Sequence, residues 1–257
     1  MDGFIHLFGD LGPVSILLAV CVGVAAGIVK GVVGFAMPMV MISGLSSFMA
    51  PELALAAVIL PTLVANGVQA LRQGWQAAWE TLRRYQLFLV IGGVALVIAA
   101  QFVRILPQTV FFLMIGVPIF GFALLQLSGR AITVPSASRR VEAVVALVAG
   151  TMGGLSGIWG PPTVAYLTAT QTPKTEQIRV QGVIYGLGSV ALVLAHLQSG
   201  VLRWETAPLS TFMIMPAGVG LVIGTMIQDR IDQTMFRKVT LLVLLIAGLN
   251  LIRRGLF

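Results

Sequence analysis

The sequence predicts an all-α, polytopic integral membrane protein built from two homologous, inverted repeats. Three observations support this fold class: the composition, a glycine-proline break that occurs twice within apolar stretches, and clusters of residues that recur at a nearly constant offset. The 257 residues are 58% hydrophobic and only 10% charged, and their mean hydropathy is +0.99. Soluble globular domains of ordinary composition are far less apolar, so we expect the lipid bilayer to be the solvent of this chain.

The charge pattern is that of a membrane protein and argues against a nucleic-acid-binding one. The formal net charge is +7, but the basic residues lie mostly between apolar runs, as the positive-inside bias produces, and form no stripe with interleaved aromatics. Cys21 is the single cysteine, which excludes an internal disulfide and a cysteine-based metal cluster. The N-terminus lacks a basic region before its first apolar run, which argues against a cleaved signal peptide.

The apolar segments follow one another with short polar connections, at about 20 residues per membrane crossing. The segments flanking the second break are shorter, and we expect each to be a half-helix, either part of one interrupted span or an arm of a re-entrant hairpin. The segment between 72 and 85 is predicted to be a loop. The apolar segments are 13–29, 38–48, 52–71, 86–103, 108–127, 141–152, 161–169, 176–197, 208–227 and 234–252.

The two breaks correspond to each other when the sequence is shifted by 123 residues. Irregular backbone at membrane depth survives only where protein or a water-filled cavity surrounds it. Two such breaks in corresponding positions of two halves point to the binding site of a transporter. The matching residues are Gly27, Gly31, Gly34 and Pro38 in the first break and Gly150, Gly154, Gly157 and Pro161 in the second.

The similarity between the halves extends beyond the breaks. At a shift of 125, Trp79 and its two successors recur at Trp204, and Gln108-Thr109 recurs as Gln233-Thr234. We therefore divide the chain into an N-terminal repeat, 1–131, and a C-terminal repeat, 132–257, joined by the polar segment 128–140. The basic bias of the loops changes sides between the repeats, which favours an inverted arrangement. A plain eight-span topology with both termini inside is the alternative.

Lys30 is the most informative single residue, because it lies within an apolar stretch and beside a break. A lysine at membrane depth costs about 2.5–3.5 kcal/mol on insertion scales, and no acidic residue lies near it in sequence. One interpretation is that Lys30 snorkels to the interface. The other is that it offers a fixed positive charge to a bound anion, next to Gly31 and Gly34, whose N–H groups form a nest. Helices restarted at Pro38 and Pro161 would direct positively polarised N-termini toward the same ligand.

Other polar residues are candidates for lining the same site. Asn66 corresponds to Ser189 at the shift of 123, so the two helices that carry them are expected to line one cavity, and ordinary interhelical hydrogen bonding is the alternative. Trp159 lies inside the second break, whereas the other tryptophans lie near the ends of spans. The complete set of predicted substrate-binding residues is Lys30, Gly31, Gly34, Asn66, Gly154, Ser156, Gly157, Trp159, Thr163, Tyr166, Gln181 and Tyr185.

The sequence does not indicate an enzyme. No catalytic triad or paired-carboxylate pattern is present, neither histidine has a companion at metal-ligand spacing, and no cofactor is expected. The glycines of the second break lack the strand and βαβ context of a nucleotide-binding loop. Apart from Lys30, the candidate proton acceptors are Glu52, Glu176, His196 and Asp229, all toward the ends of spans.

The paired glycine-proline breaks, the length and the two-fold repeat resemble the TauE/SafE family of sulfite and organosulfonate transporters over essentially the whole chain. The resemblance implies a secondary carrier for small sulfur oxyanions or sulfonates in the bacterial inner membrane. We expect a midplane anion site where the two breaks meet, coupling to a proton or sodium, and no nucleic-acid partner, and we leave the oligomeric state open. The alternatives are a passive channel for a small solute, a small-carboxylate carrier, and a membrane subunit that transports nothing itself.

Overall fold

The computed structural model describes residues 2–101, 108–130, 134, 138–156 and 159–256, and within these ranges the chain is helical without a strand. The helices that begin at Met37, Pro51, Gly160 and Ala207 have proline at their first or second position, as the sequence predicts for those at Pro38 and Pro161. The helices are α1 Asp2–Val33, α2 Met37–Leu45, α3 Pro51–Leu71, α4 Trp75–Arg84, α5 Gln86–Gln101, α6 Gln108–Leu127, α7 Arg139–Ser156, α8 Gly160–Ala169, α9 Lys174–Gln198, α10 Ala207–Arg230 and α11 Gln233–Leu256.

Two sequence predictions about these helices are wrong. The predicted loop at 72–85 contains α4, which carries Trp75 and Trp79 stacked with ring centroids 6.4 Å apart. Helix α7 begins at Arg139, before the apolar run, and its 18 residues extend over about 27 Å at 1.5 Å per residue. It is therefore almost a full crossing, and only α8, with 10 residues, is a half-helix beside the second break.

Five helical segments in the described part of the chain are long and apolar enough to cross a membrane, and the bent pair of α4 and α5 brings the number to six if it forms one span. The bend between α4 and α5 is 70°. The protein is thus a multi-pass membrane protein. The five segments are Gly12–Val33, Glu52–Leu71, Lys174–Gln198, Ala207–Arg230 and Gln233–Leu256.

The helices pack into two compact units, and each unit combines distant parts of the sequence. Unit 1 consists of Met1–Arg72 and Gly182–Ile231, and unit 2 consists of Gln73–Gln181 and Asp232–Phe257. The units are groups of packed helices, so they describe something different from the sequence repeats 1–131 and 132–257. The division into repeats stays a prediction.

In unit 1, α1 packs along α10 through glycines that bring the two backbones together. A Cβ on Gly27 would overlap the carbonyl oxygen of Ala217 and lie 2.8 Å from the Leu221 nitrogen, and a Cβ on Gly31 would lie 2.5 Å from the Leu221 oxygen. Residue numbers rise together along this contact, so the helices are parallel. Gly27 and Gly31 thus serve close helix packing.

Helix α3 also runs parallel to α10, and an ion pair joins the two at each end. Near the start of α3, Glu52 accepts a hydrogen bond of 2.6 Å from Arg203, which precedes α10. Just beyond the end of α3, Arg72 contacts Asp229 at 2.6 Å. Because α1 and α3 are both parallel to α10, the chain must return between them through α2 and the turn at 46–50.

The first break is the tip of a helical hairpin. Helix α1 ends at Val33, the backbone passes through Gly34 (φ 87°) and Ala36 (φ 71°) in left-handed conformations, and α2 begins at Met37. Near the other end of α2, Gly44 packs against Val22 of α1, so α2 folds back along α1. The sequence left an interrupted span and a hairpin open, and the geometry within unit 1 is that of a hairpin.

Unit 2 contains two further helix pairs in which glycines allow close approach. Helices α5 and α7 meet where a Cβ on Gly150 would overlap the carbonyl oxygen of Gly92, and α6 and α11 meet where a Cβ on Gly116 would lie 2.9 Å from the Ile252 nitrogen. Helix α4 is attached to the start of α9 by the ion pair of Arg84 and Glu176, with a separation of 2.7 Å.

We predict that Gly27→Ala destabilises the protein although alanine is the better helix former. The added methyl group would meet backbone atoms of α10, which cannot rotate away, and overpacking of this kind typically costs about 1–3 kcal/mol. The matched control is Gly218→Ala on α10, where a Cβ has no neighbour within 4 Å. Because alanine in an open helical position gains up to about 1 kcal/mol over glycine, the two variants should shift the thermal unfolding midpoint in opposite directions. An equal shift in both would contradict the packing described for α1 and α10.

Candidate functional site

Lys30, in the last turn of α1, is buried at the hairpin break with only 1% of its surface exposed. Its Nζ donates hydrogen bonds to Asn66 Oδ1 at 2.6 Å and to the carbonyl oxygen of Gly34 at 3.2 Å. The ring of Tyr185 lies 6.0 Å from Nζ, at the outer limit for a cation–π contact. The side chain therefore does not snorkel to an interface.

The ammonium group has no carboxylate among these partners. Its contact with Gly34 places it at the C-terminal end of α1, where the helix dipole favours a cation. This contact gives Lys30 a structural role, because it holds the backbone that leaves the helix. Two neutral acceptors and a helix end leave the positive charge without a formal counter-charge, which is the property that an anion-binding site requires.

Helix α3 presents three polar side chains on one face beside Lys30. Thr62, Asn66 and Gln69 follow the i, i+4, i+7 spacing of a single helical face and are each at most 4% exposed. Gln69 Nε2 donates to the backbone oxygen of Lys30 at 3.0 Å. Within the described part of the chain, Thr62 Oγ1 and Gln69 Oε1 have no hydrogen-bond partner, so this face has unused capacity for polar contacts.

Helix α9 contacts the same Asn66 side chain that binds Lys30. Asn66 Nδ2 donates to the backbone oxygen of Tyr185 at 3.1 Å and to Ser189 Oγ at 3.4 Å. Gly182 allows α9 to approach α3 closely, because a Cβ at this position would overlap the Ala70 nitrogen of α3. Asn66 and Ser189 are thus joined by an interhelical hydrogen bond, which brings the break, α3 and α9 together around one ammonium group. That the two helices line one cavity stays a prediction.

The start of α2 adds a second source of positive potential beside Lys30. Helix α2 begins at Met37 without a side-chain cap, and the Gly34 carbonyl that binds Lys30 lies only a few residues before it. A helix N-terminus carries about half a positive charge. The last turn of α1 favours a cation, whereas the first turn of α2 and the ammonium itself both favour an anion.

Three of the acidic residues considered as proton acceptors are engaged in ion pairs at the ends of helices. Glu52 pairs with Arg203 and Glu176 with Arg84, and Asp229 accepts from Arg72, which also donates to buried Gln228 at 2.8 Å. Glu52 raises the pKa of Arg203 by accepting its hydrogen bond. Arg72 lies about 9 Å beyond Asn66 along α3, at 1.5 Å per residue.

The remaining predicted site residues have different surroundings. Gly31 packs against α10 instead of forming a nest. In unit 2, Thr163 is fully buried and donates to the Trp159 carbonyl at 3.0 Å, and Tyr166 lines an apolar cavity. Gln181 is fully buried one turn before Tyr185, whereas Gly154 and Ser156 belong to the last turn of α7 and Gly157 lies outside the described residues. The sequence prediction that the second break contributes to the same site as Lys30 stays a prediction.

Sequence reasoning did not place Thr62 and Gln69 in the site. Both belong to the same helical stripe as Asn66, so the signal that would have found them is the 3.6-residue periodicity of polar residues within an apolar helix. The contact of Gln69 with the Lys30 backbone also depends on how α1 and α3 pack.

A protein-family comparison decides the affiliation of the chain. The family model described as "Sulfite exporter TauE/SafE" matches residues 19–251. The chain belongs to the TauE/SafE family. This match covers both breaks, the Lys30 cluster and all helices from α2 to α10, as well as most of α1 and α11. No match was found among curated proteins or among solved structures.

We predict that the hydrogen bond between Lys30 and Asn66 is strongly coupled to stability. Asn66→Leu should destabilise the protein by about 1–3 kcal/mol, because it removes an acceptor from a buried charged donor. In a Lys30→Met background the same substitution should cost much less, since no ammonium then needs an acceptor. Unfolding of the two single variants and the double variant, measured as a double-mutant cycle, tests this coupling. Additive effects would show that the two side chains do not depend on each other.

Proposed function

We propose that this TauE/SafE protein is a secondary transporter of small sulfur oxyanions or sulfonates, and that Lys30 provides the charge that binds them. The supporting observation is a buried ammonium group whose hydrogen-bond partners are all neutral. Retaining such a group costs free energy, and an anionic substrate would compensate for that cost when it binds. We further propose that the protein resides in the bacterial inner membrane.

The chemistry of the surrounding groups matches an oxyanion. A sulfite or sulfonate group has three oxygens that accept hydrogen bonds, and the cluster offers donors of three kinds: the Lys30 ammonium, the side-chain amide of Gln69, and the hydroxyl of Thr62. Thr62 Oγ1 has no partner within the described part of the chain. An anion bound here would compete with Asn66 and Gly34 for the ammonium group, so binding is linked to the geometry of the break.

We also propose that the two repeats are real and inverted, as the sequence suggests. The inversion rests on the basic bias of the loops, and the duplication is supported by two contacts, one in each unit. In unit 1, Gly27 of α1 packs on the carbonyl oxygen of Ala217, and in unit 2, Gly150 of α7 packs on the carbonyl oxygen of Gly92. Gly150 corresponds to Gly27 at a shift of 123, and Ala217 corresponds to Gly92 at a shift of 125. Related residues thus make the same backbone contact in each unit, as repeats of a transporter fold would.

We predict that Lys30→Gln abolishes anion binding while the protein still folds, because glutamine is neutral and can still hydrogen-bond to Asn66. Lys30→Arg should retain weak binding, since the charge remains but the planar guanidinium differs in shape from an ammonium. Thermal shifts of purified protein with sulfite, isethionate, sulfoacetate and acetate provide the measurement. A ligand at 100 times its dissociation constant stabilises the folded state by about 2.7 kcal/mol.

The matched control is Lys238→Gln, which removes the same charge from an exposed position on α11. It should leave the ligand-induced shift intact. Equal ligand-induced thermal shifts in the native protein and in Lys30→Gln would contradict the assignment of Lys30 to the anion site. A response to acetate alone would favour a small-carboxylate carrier, and no response to any anion would favour a subunit that does not transport.

We predict that uptake of a sulfonate depends on coupling to a proton or sodium. A negative-inside potential opposes entry of an anion by about 2.3 kcal/mol per charge per 100 mV, and symport of one proton would cancel this electrical term. In vesicles, concentrative uptake should therefore increase as the external pH falls and collapse with a protonophore. Uptake that changes neither with external pH nor with a protonophore would indicate coupling to sodium or an exchange mechanism. A passive channel would be revealed by the absence of counterflow of labelled substrate.

A further inference from the structure

An open apolar groove lies in unit 2 between α6, α7 and α8. Its volume is about 400 Å³, and its lining is almost entirely aliphatic, with Phe122 on one side and the valines of α7 on another. Val144 and Val148 line it and are 60% and 41% exposed. A groove of this kind on a membrane protein is suited to a hydrocarbon chain.

The direction of the groove follows from its walls. At one end, Val134 donates a backbone hydrogen bond of 3.0 Å to Ala169, the last residue of α8. Val141, in the first turn of α7, also lines the groove. From Val141 to Val148 the groove follows α7 for about 10 Å at 1.5 Å per residue, leading away from the polar segment that joins α6 to α7.

Basic residues are concentrated at the end of the groove near that polar segment. Arg130, Arg139 and Arg140 are all exposed, and none of them forms a salt bridge within the described part of the chain. Arg140 precedes Val144 by one helical turn and so lies on the same face of α7 as the groove valines. Side chains of a helix tilt toward its N-terminus, which directs this guanidinium toward the polar end.

The acidic residue nearest to these arginines faces elsewhere. Glu142 accepts a hydrogen bond from the backbone nitrogen of Phe88 at 3.3 Å, so its carboxylate is directed to α5. Arg139, one helical turn before it, interacts with this carboxylate and lies on the face of α7 opposite the groove valines, so Arg140 supplies the charge on the groove side. The charge at the head of the groove is therefore positive, and the groove below it is apolar.

We propose that this groove binds one acyl chain of an anionic phospholipid, whose phosphate lies against Arg140. Guanidinium groups bind phosphate with paired, charge-assisted hydrogen bonds, and each basic residue near an anionic headgroup strengthens membrane attachment roughly fivefold. The apolar wall and the basic head match the two parts of a single lipid molecule. This lipid site does not depend on the transported substrate.

The experiment compares phosphatidylglycerol with phosphatidylcholine of the same acyl chains, added to delipidated protein and measured by native mass spectrometry and thermal stability. Phosphatidylglycerol should be retained preferentially. Arg140→Gln should weaken its binding roughly fivefold, the factor expected for one basic residue. The matched control is Arg139→Gln, the neighbouring exposed arginine on the opposite face of α7, which should leave binding unchanged.

A groove-filling variant provides the second arm of the test. Ala165 lines the groove, and Ala165→Leu should reduce retention of both lipids by occupying the space of the acyl chain. Equal retention of the two lipids by the native protein, or equal loss in the test and control arginine variants, would overturn the proposal. A lipid-free dimer that Ala165→Leu dissociates would also overturn it and assign the groove to a second copy of the chain.

Discussion

The buried ammonium of Lys30 is the constraint around which unit 1 is organised. A cation in an apolar interior must find acceptors, because its insertion alone costs about 2.5–3.5 kcal/mol. Hydrogen bonds to charged groups contribute about 1.5–3 kcal/mol each, so the bonds to Asn66 and Gly34 are of the size needed to offset that cost. These two contacts fix the end of α1, the hairpin turn and the position of α3 relative to both.

In unit 1, the charged residues at the ends of the helices differ from Lys30 in the role of their charge. The salt bridges of this unit, which include those of Arg72 with Asp229 and Arg203 with Glu52, lie at the ends of α3 and α10, where water screens them and each adds little stability. Lys30, by contrast, is buried, and its hydrogen-bond partners are neutral. A cation in that setting attracts an anion far more strongly than one at the surface would.

Much of the fold could be predicted from the sequence, because glycine, proline and apolar length determine helix boundaries in a membrane. The predicted segment 108–127 coincides with α6, and the glycines that end α1 were recognised. Helix α4 escaped prediction because its polar and aromatic residues lower its mean hydropathy, although its amphipathic spacing is regular. The start of α7 was missed for the same reason: Arg139, Arg140 and Glu142 are charged but form helices readily.

The site was only partly predictable. Lys30, Gly34, Asn66 and Tyr185 were identified as separate candidates, and the structure brings them together. Their arrangement could not be derived from the sequence, because a search for an acidic partner overlooks a neutral amide 36 residues away. The prediction for Gly31 was partly wrong. Its place near the break suggested a ligand contact, whereas it lies on the face of α1 that packs against α10.

The composition of unit 1 has a consequence for biogenesis. Helix α1 packs against α10, which emerges from the ribosome only after about 200 further residues, or about 10–40 s at ordinary rates of synthesis. During that interval α1 resides in the translocon or bilayer without the neighbour that its glycines fit. The amide of Asn66 is synthesised early and the backbone of Tyr185 late, so the environment of Lys30 is completed in stages. The newly made chain must therefore carry an incompletely solvated cation within the membrane until its second half arrives.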